Sequence, residues 1–270
     1  MDQKTKADAF ATLHAGDDIL ILPNAWDAAS AAIMADAGAK AVATSSAAVA
    51  WAHGYPDGDA LPVANLLATI RTVARVSPVP VTADIEGGYT DDLGQLGETI
   101  RSVIGAGAVG VNLEDGRRMP DLHARKVEAA RRAADAEGVP LFINARIDLF
   151  LLQLAEGEAA YDETVRRAEL YRSAGASGIF VPGPKDEVLI GRLAAAIKPP
   201  LNIMLLPGLP NAARLQALGV RRVSSGTAPF RAAYATVAKA VATFLEVGEA
   251  SAFKAGADGL GNLNTRFGVR

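Results

Sequence analysis

The stretch Val81–Asp92, VTADIEGGYTDD, decides how this chain is read. An apolar β-type run ends on Asp84 and Glu86, two glycines turn the chain, and more acids lead into a helix-like segment. A carboxylate left unpaired in an apolar interior is costly, so acids at the end of a buried strand call for a cationic partner. Working outward, β-type runs recur at 19–22 (ILIL), 41–45 (AVATS), 79–85, 110–114 (GVNLE), 141–147 (LFINARI), 178–182 (GIFVP), 201–206 (LNIMLL) and 221–225 (RRVSS). Helical patterns such as AASAAIMADAG and DLHARKVEAARRAADAEG separate them, several closed by the glycine expected just past a helix end. Strands alternating with helices predict a parallel sheet. Eight such units in 270 residues predict a (β/α)8 TIM barrel as a single domain over residues 1–270. The first βα turn, LPNAWDAAS, lacks the glycine fingerprint of an open nucleotide-binding sheet. Residues 228–270 read as a long helical run and a glycine-rich tail, with a frayed end.

Composition narrows the function. Half of the residues are hydrophobic, ample for a packed core. The net charge is −3 with no basic stripe, which argues against a nucleic-acid partner. The absence of cysteine excludes disulfides, thiolate metal sites and a cysteine nucleophile. The opening residues lack the apolar core of a signal peptide, and no apolar run is long enough to span a bilayer. The expectation is a soluble cytoplasmic protein acting on a small molecule.

In a barrel of this kind the chemistry sits at the C-terminal ends of the strands. Those ends carry Thr44, Ser45 and Ser46; Asp84 and Glu86; Glu114 and Asp115; Asn144, Arg146 and Asp148; and Ser224 and Ser225, with Asn202 near the start of the seventh strand. Residues two apart on a strand share a face, so Asp84 points with Glu86, and Asn144 with Arg146 and Asp148. Asp84, Glu86 and Glu114 beside Arg146 make a poor apolar core and a good site for a hard cation. Magnesium prefers such oxygen ligands and leaves part of its shell to water and substrate, and manganese suits the same donors. Arg146 would clamp a substrate carboxylate. Asp115 and Asp148 read as orienting or helix-start residues, His53 as a loop residue able to donate a proton, and His14 and His123 as surface helix positions. Lys185 reads as a helix-start lysine, with Schiff-base chemistry the last alternative.

With these residues in view, the chain resembles the isocitrate lyase and phosphoenolpyruvate mutase superfamily over nearly its whole length. The resemblance is carried by LPNAWDAASAAIMADAGAKAVATSS, GYPDGD, VTADIEGGY, GVNLEDG and FINARID in that order. It implies a magnesium-dependent barrel acting on small 2-oxo or 2-hydroxy carboxylates. It implies that Asp84 coordinates the metal directly, with Asp57, Glu86 and Glu114 acting through metal-bound waters or nearby hydrogen bonds. It assigns substrate binding to Arg146, to the Ser45–Ser46–Ala47 turn and to Asn202. It also implies a homo-oligomer, a tetramer or dimer, whose last helix is swapped between subunits.

The departures are equally specific. Where the superfamily's lyases carry a cysteine-bearing lid, this chain reads EDGRRMPDLHARK, with no cysteine and too few residues for that lid. Glu86 stands where an aspartate is common, and FVPGP lacks the glutamate or histidine of several members. Arg117 and Arg118 bring positive charge there but are poor proton donors. The reading is therefore a magnesium-dependent lyase or decarboxylase that works through an enolate. Its substrate would be a small oxaloacetate-like or substituted malate-like di- or tricarboxylic acid, with the proton supplied by water, Tyr89 or His53. The alternatives are C–P bond chemistry, as in phosphoenolpyruvate mutase or phosphonopyruvate hydrolase, and a 2-oxo acid binding protein with little catalysis.

Overall fold

The computed structural model describes residues 2–257 and 259–268, so positions 1, 258, 269 and 270 of the expected domain and tail lie outside the described residues. In chain order the elements are α1 (Gln3–Ala15), β1 (Leu20–Leu22), β2 (Asn24–Ala25), α2 (Ala28–Asp36), β3 (Val42–Thr44), α3 (Ser46–Ala52) and α4 (Val63–Val76). Next come β4 (Val81–Asp84), α5 (Leu93–Gly105), β5 (Gly110–Glu114), α6 (Pro120–Ala136), β6 (Phe142–Arg146), α7 (Gly157–Ser173) and β7 (Gly178–Val181). The last are α8 (Glu187–Ala196), β8 (Leu201–Met204), α9 (Ala212–Ala217), β9 (Arg222–Ser224), α10 (Ala228–Val247), α11 (Ser251–Ala257) and α12 (Leu263–Phe267).

Every strand pairs parallel to its neighbours, in the order β1-β9-β8-β7-β6-β5-β4-β3-β2 among the described residues. β1 is the expected strand at 19–22; past Pro23, whose ring nitrogen has no hydrogen to donate, the expected βα turn forms the short extra strand β2. β1 pairs with β9 and β2 with β3, so the sheet curls into the nearly closed (β/α)8 barrel expected from the sequence. Asn24 secures the seam. Its Nδ2 donates to Thr44 O at 2.8 Å, its backbone N–H donates to Ser225 Oγ at 2.9 Å, and its Oδ1 accepts from Gly226 N at 2.9 Å.

Local chemistry starts and stops the helices. Asp27 and Ser30 form a reciprocal capping box at the start of α2, and Asp92 accepts from Gln95 N at 2.8 Å to cap α5. Gly38 (φ 94°) and Gly219 (φ 94°) supply the left-handed turn from helix back to strand that a Cβ would strain. The N-terminal end of the barrel is closed by α1. Phe10 meets Phe142 edge-on at 5.5 Å, and His14 stacks on Phe142 at 4.0 Å while bonding Phe10 O at 2.8 Å. Room for these rings comes from inward-facing glycines: a Cβ on Gly110 would lie 2.9 Å from the Phe10 ring, and one on Gly178 would lie 2.8 Å from Phe142.

Two expectations need correction. His14 and His123 are buried, not surface positions. α1 folds beneath the barrel, and α6 turns His123 inward, where its ring meets Tyr171 edge-on at 4.5 Å. The expected frayed tail instead carries α12, held by Arg266 Nε 2.8 Å from Asp36 Oδ2 and by Phe267 packed on the cluster of Val42, Val73 and Val76. The long helix α10 has Phe230 as its buried residue, set in an aromatic group with Trp26, Trp51 and Tyr234.

Candidate active site

Parallel register brings the expected chemistry to one mouth. Asp84 on β4 pairs with Asn112 on β5, and Glu114 on β5 pairs with Arg146 on β6. Arg146 Nη1 lies 2.7 Å from Glu114 Oε2 and 3.9 Å from Asp84 Oδ2, and its Nε donates to Asp148 Oδ1 at 2.6 Å. The Phe180 ring covers the guanidinium at 5.7 Å. Asp148 is itself held: its backbone N–H donates to Asp115 Oδ1 at 2.9 Å, and Asp115 Oδ2 accepts from Arg167 Nη1 and the Tyr171 hydroxyl, each at 2.8 Å. Asp148 therefore orients Arg146 and Asp115 orients Asp148, where the sequence reads Asp115 as orienting the following turn and Asp148 as starting a helix.

Asp84 is fixed at both oxygens. Oδ1 accepts from the backbone N–H of Glu86 at 3.1 Å, and Oδ2 accepts from Asn112 Nδ2 at 3.2 Å. Glu86 adopts a positive φ of 51° that turns its side chain toward the loop after α3. There Oε2 accepts the backbone N–H groups of Gly58 and Asp59, and Oε1 accepts the Tyr89 hydroxyl at 2.9 Å. Glu86 thus positions the loop that carries Asp57, and the Tyr89 proton points at Glu86. His53, the other proton donor considered, bonds Thr69 Oγ1 at 2.9 Å through Nε2. Lys185 is exposed in the turn before α8.

The electrostatics are unbalanced. Burial, with Asp148, Asp84 and Asp57 adding to it, pushes Glu114 up to about 8 against the pull of Arg146. Burial likewise raises Asp148, and it raises Asp57 with help from Asp84. Glu86 is raised by burial too. Burial disfavours the charged form of each of these carboxyls, and neighbouring carboxylates add to that, with one arginine to oppose them. Among the described residues, no three His, Cys, Asp or Glu side chains close around one point as a ready-made metal cage. The donor chemistry nevertheless fits a divalent cation that takes few protein oxygens: all-oxygen groups and surplus negative charge.

The remaining expected residues line the same end of the barrel or its interior. Ser45 caps α3 by accepting from Ala48 N at 3.4 Å, and the first-turn amides of Ser46 and Ala47 are groups a helix cannot satisfy within itself. Asn202 is buried on β8; its Oδ1 accepts from Ser224 Oγ at 3.3 Å, and its Nδ2 has no partner among the described residues.

Sequence reasoning missed the rim. Arg118 Nη2 lies 2.8 Å from Asp59 Oδ2, and its Nε lies 2.7 Å from Asp91 Oδ1. Asp59 Oδ1 in turn accepts from Gly87 N and Tyr89 N, each at 3.2 Å. Lys126 Nζ donates to Thr90 O at 2.6 Å and to Asp91 Oδ1 at 2.8 Å. A Cβ on Gly87 would collide with the Arg118 guanidinium, which lies across it. The short strap after β5 is thus pinned to the two preceding loops. Asn112 was also missed, although it lies two residues before Glu114 and so shares its face.

Comparisons with known proteins place the chain among relatives. The family model for phosphoenolpyruvate phosphomutase matches residues 10–245. An uncharacterized protein of Mycobacterium tuberculosis is 35% identical over 230 residues, covering 83% of this chain and 84% of that protein. The oxaloacetate decarboxylase of Ectopseudomonas mendocina is 30% identical over 238 residues, covering 83% of this chain and 79% of the relative. A Burkholderia cenocepacia crystal structure, provisionally described as a phosphonomutase, superposes with a TM-score of 0.84 at 42% identity, covering 87% of this chain and 98% of that one. The chain belongs to the phosphoenolpyruvate phosphomutase family.

Proposed function

We propose that this chain is a magnesium-dependent carbon–carbon lyase or decarboxylase of a small 2-oxo or 2-hydroxy di- or tricarboxylic acid, oxaloacetate-like or substituted malate-like. The observation that carries this reading is the set Asp84, Glu114 and Arg146 on adjacent strand ends, where burial and neighbouring carboxylates raise Glu114. The similarity to an oxaloacetate decarboxylase supports the same class. Asp84, with Glu114 and Asp57 around it and Glu86 setting the loop, would hold magnesium or manganese. That ion supplies positive charge where an enolate's negative charge develops.

Arg146, aimed by Asp148, binds a substrate carboxylate through its planar guanidinium. The Ser45–Ser46–Ala47 turn offers N–H groups to the same carboxylate, and the unpartnered Asn202 Nδ2 offers a further donor. In a decarboxylation the C3–C4 electron pair moves to C2–C3 and onto the 2-oxo oxygen. Carbon dioxide leaves, and a proton from water completes the product at C3. No cysteine is needed for that sequence, and the Tyr89 proton is already directed at Glu86.

The second part of the proposal is a homo-oligomer in a cytoplasmic setting. Among the described residues, no helix is long and apolar enough to cross a membrane. Tyr234, Val237, Val241, Phe244 and Leu245 of α10 are exposed. Ile21 on the outer face of β1 is 62% exposed, beside a groove lined by Met34, Ala37 and Ala39. A second copy of the chain is the occupant that suits both surfaces.

The test is pyruvate release from oxaloacetate, methylisocitrate and phosphonopyruvate, with magnesium and with EDTA. Metal-dependent release from oxaloacetate or methylisocitrate above the metal-only background is expected. Release from phosphonopyruvate alone would instead assign C–P chemistry, and saturable binding without product would assign a binding protein.

A further inference from the structure

Barrel interiors are ordinarily filled by branched apolar side chains. Beneath the mouth of this one lie Thr82, Asn112, Asn144, Asn202 and Arg222, all buried. Arg222 on β9 is fully enclosed, and among the described residues no carboxylate forms an ion pair with it. Its Nη2 donates to Asn112 Oδ1 at 3.2 Å, while its Nε and Nη1 have no partner among the described residues. Burial pushes its pKa down to about 9. A guanidinium kept in the interior without a carboxylate is expensive.

Asn112 gives that position a purpose. Its Oδ1 accepts from Asn144 Nδ2 at 2.9 Å as well as from Arg222, which fills both lone pairs of the amide oxygen. Its Nδ2 donates to Asp84 Oδ2 at 3.2 Å. A side-chain amide turned end for end exchanges its donor and acceptor, and only its partners decide which way it faces. Arginine has donors and no acceptor, so it admits one orientation: oxygen toward Arg222, NH2 toward Asp84.

We infer that Arg222 is a positioning residue: acting through the amide of Asn112, it fixes the direction in which Asp84 presents its carboxylate to the mouth. The inference rests on the metal-binding reading of Asp84. It adds a residue from the last strand, behind the site, to the set that determines metal affinity.

The experiment is a manganous-ion titration of the full chain, followed by the EPR signal of free Mn2+. Wild type is expected to bind and Asp84→Asn to lose binding; a wild-type chain that binds no Mn2+ overturns the metal reading and this inference together. With wild type binding, Arg222→Met is expected to weaken Mn2+ affinity by about tenfold or more, as removal of a hydrogen-bond partner behind a metal ligand does. Arg222→Lys keeps a donor-only head and is expected to stay within about threefold of wild type. In an Asn112→Ala background, Arg222→Met should have no further effect, since the relay is already cut. Wild-type affinity in Arg222→Met, equal losses in the lysine and methionine variants, or additive losses in the double variant would each overturn the inference while leaving the metal reading intact. If Arg222→Met does not fold by circular dichroism, Arg222→Gln serves in its place. Its amide can face either way, and affinity must then drop by about threefold or more; unchanged affinity overturns the inference.

Discussion

Two ionic networks lie side by side at the mouth of this barrel, and they are built on opposite plans. At the rim, Arg118 and Lys126 meet Asp59 and Asp91, cation for anion, and the hydrogen bonds from Lys126 and Arg118 hold Asp91 below its ordinary range. A few residues inward, Arg146 alone faces Asp84, Glu114 and Asp148, with Asp57 and Glu86 close by, and burial raises Asp57, Glu86, Glu114 and Asp148. A balanced network holds loops in place. An unbalanced one leaves charge to be completed by something that is not part of the chain, which is how a site differs from a strut.

The largest effect should come from the unbalanced network. Asp84→Asn and Arg146→Lys are each expected to lower kcat/KM by about a hundredfold to a thousandfold, the scale of losing one charged or hydrogen-bonding group aimed at the reacting atoms. Steady-state kinetics with saturating magnesium check this, and near-wild-type turnover in either variant would remove the distinction between the networks.

A second expectation concerns stability and pH. Glu114 keeps its proton up to about 8 in the folded chain against an ordinary 4.5, so the folded state binds the extra proton between those values and stability falls as pH rises. His14 and His123 work on the other side. Burial lowers them from 6.5 to about 4 and about 3, so the unfolded chain gains protons below 6.5 and stability falls as pH drops. Thermal melts in EDTA should therefore peak near pH 6.5 and decline toward pH 8, and excess magnesium should flatten that alkaline decline. A melting temperature that climbs from pH 6.5 to 8 in EDTA would contradict the charge imbalance.

The smallest effect belongs to the balanced network. Arg118→Met should lower stability by about 1 kcal/mol, the scale of partly exposed ion pairs, and leave kcat within about threefold of wild type. Chemical denaturation and kinetics on the same preparation separate these outcomes. A loss as large as that of Arg146→Lys would make the rim part of the chemistry.

How much of this was legible in the sequence follows from range. All eight expected strands appear because each is a short β-type run bounded by turns, apolar in all but RRVSS, a local signal. Asp84, Glu114 and Arg146 were legible because strand ends in a barrel converge by rule. The rim was not, because Arg118 reaches back to Asp59 along loop paths that no periodicity describes. His14 and His123 were misread although a helical signal existed: His14 stands four residues after Phe10, and His123 four before Val127, both buried. The docking of α12 was illegible for the same reason as the rim. Its Arg266 finds Asp36 from the far end of the chain.

The seam at Pro23 bears on the order in which the molecule is made. Asn24 joins the first strand to the second through Thr44 and to the last through Ser225 and Gly226, partners some two hundred positions later. Closure of so long a loop comes at an entropic disadvantage that local pairs do not share. A nascent chain can therefore assemble the β3-to-β8 side of the sheet as it is synthesised. β1 stays without a mate until β9 has left the ribosome, and the circle is drawn shut by the residues that began it.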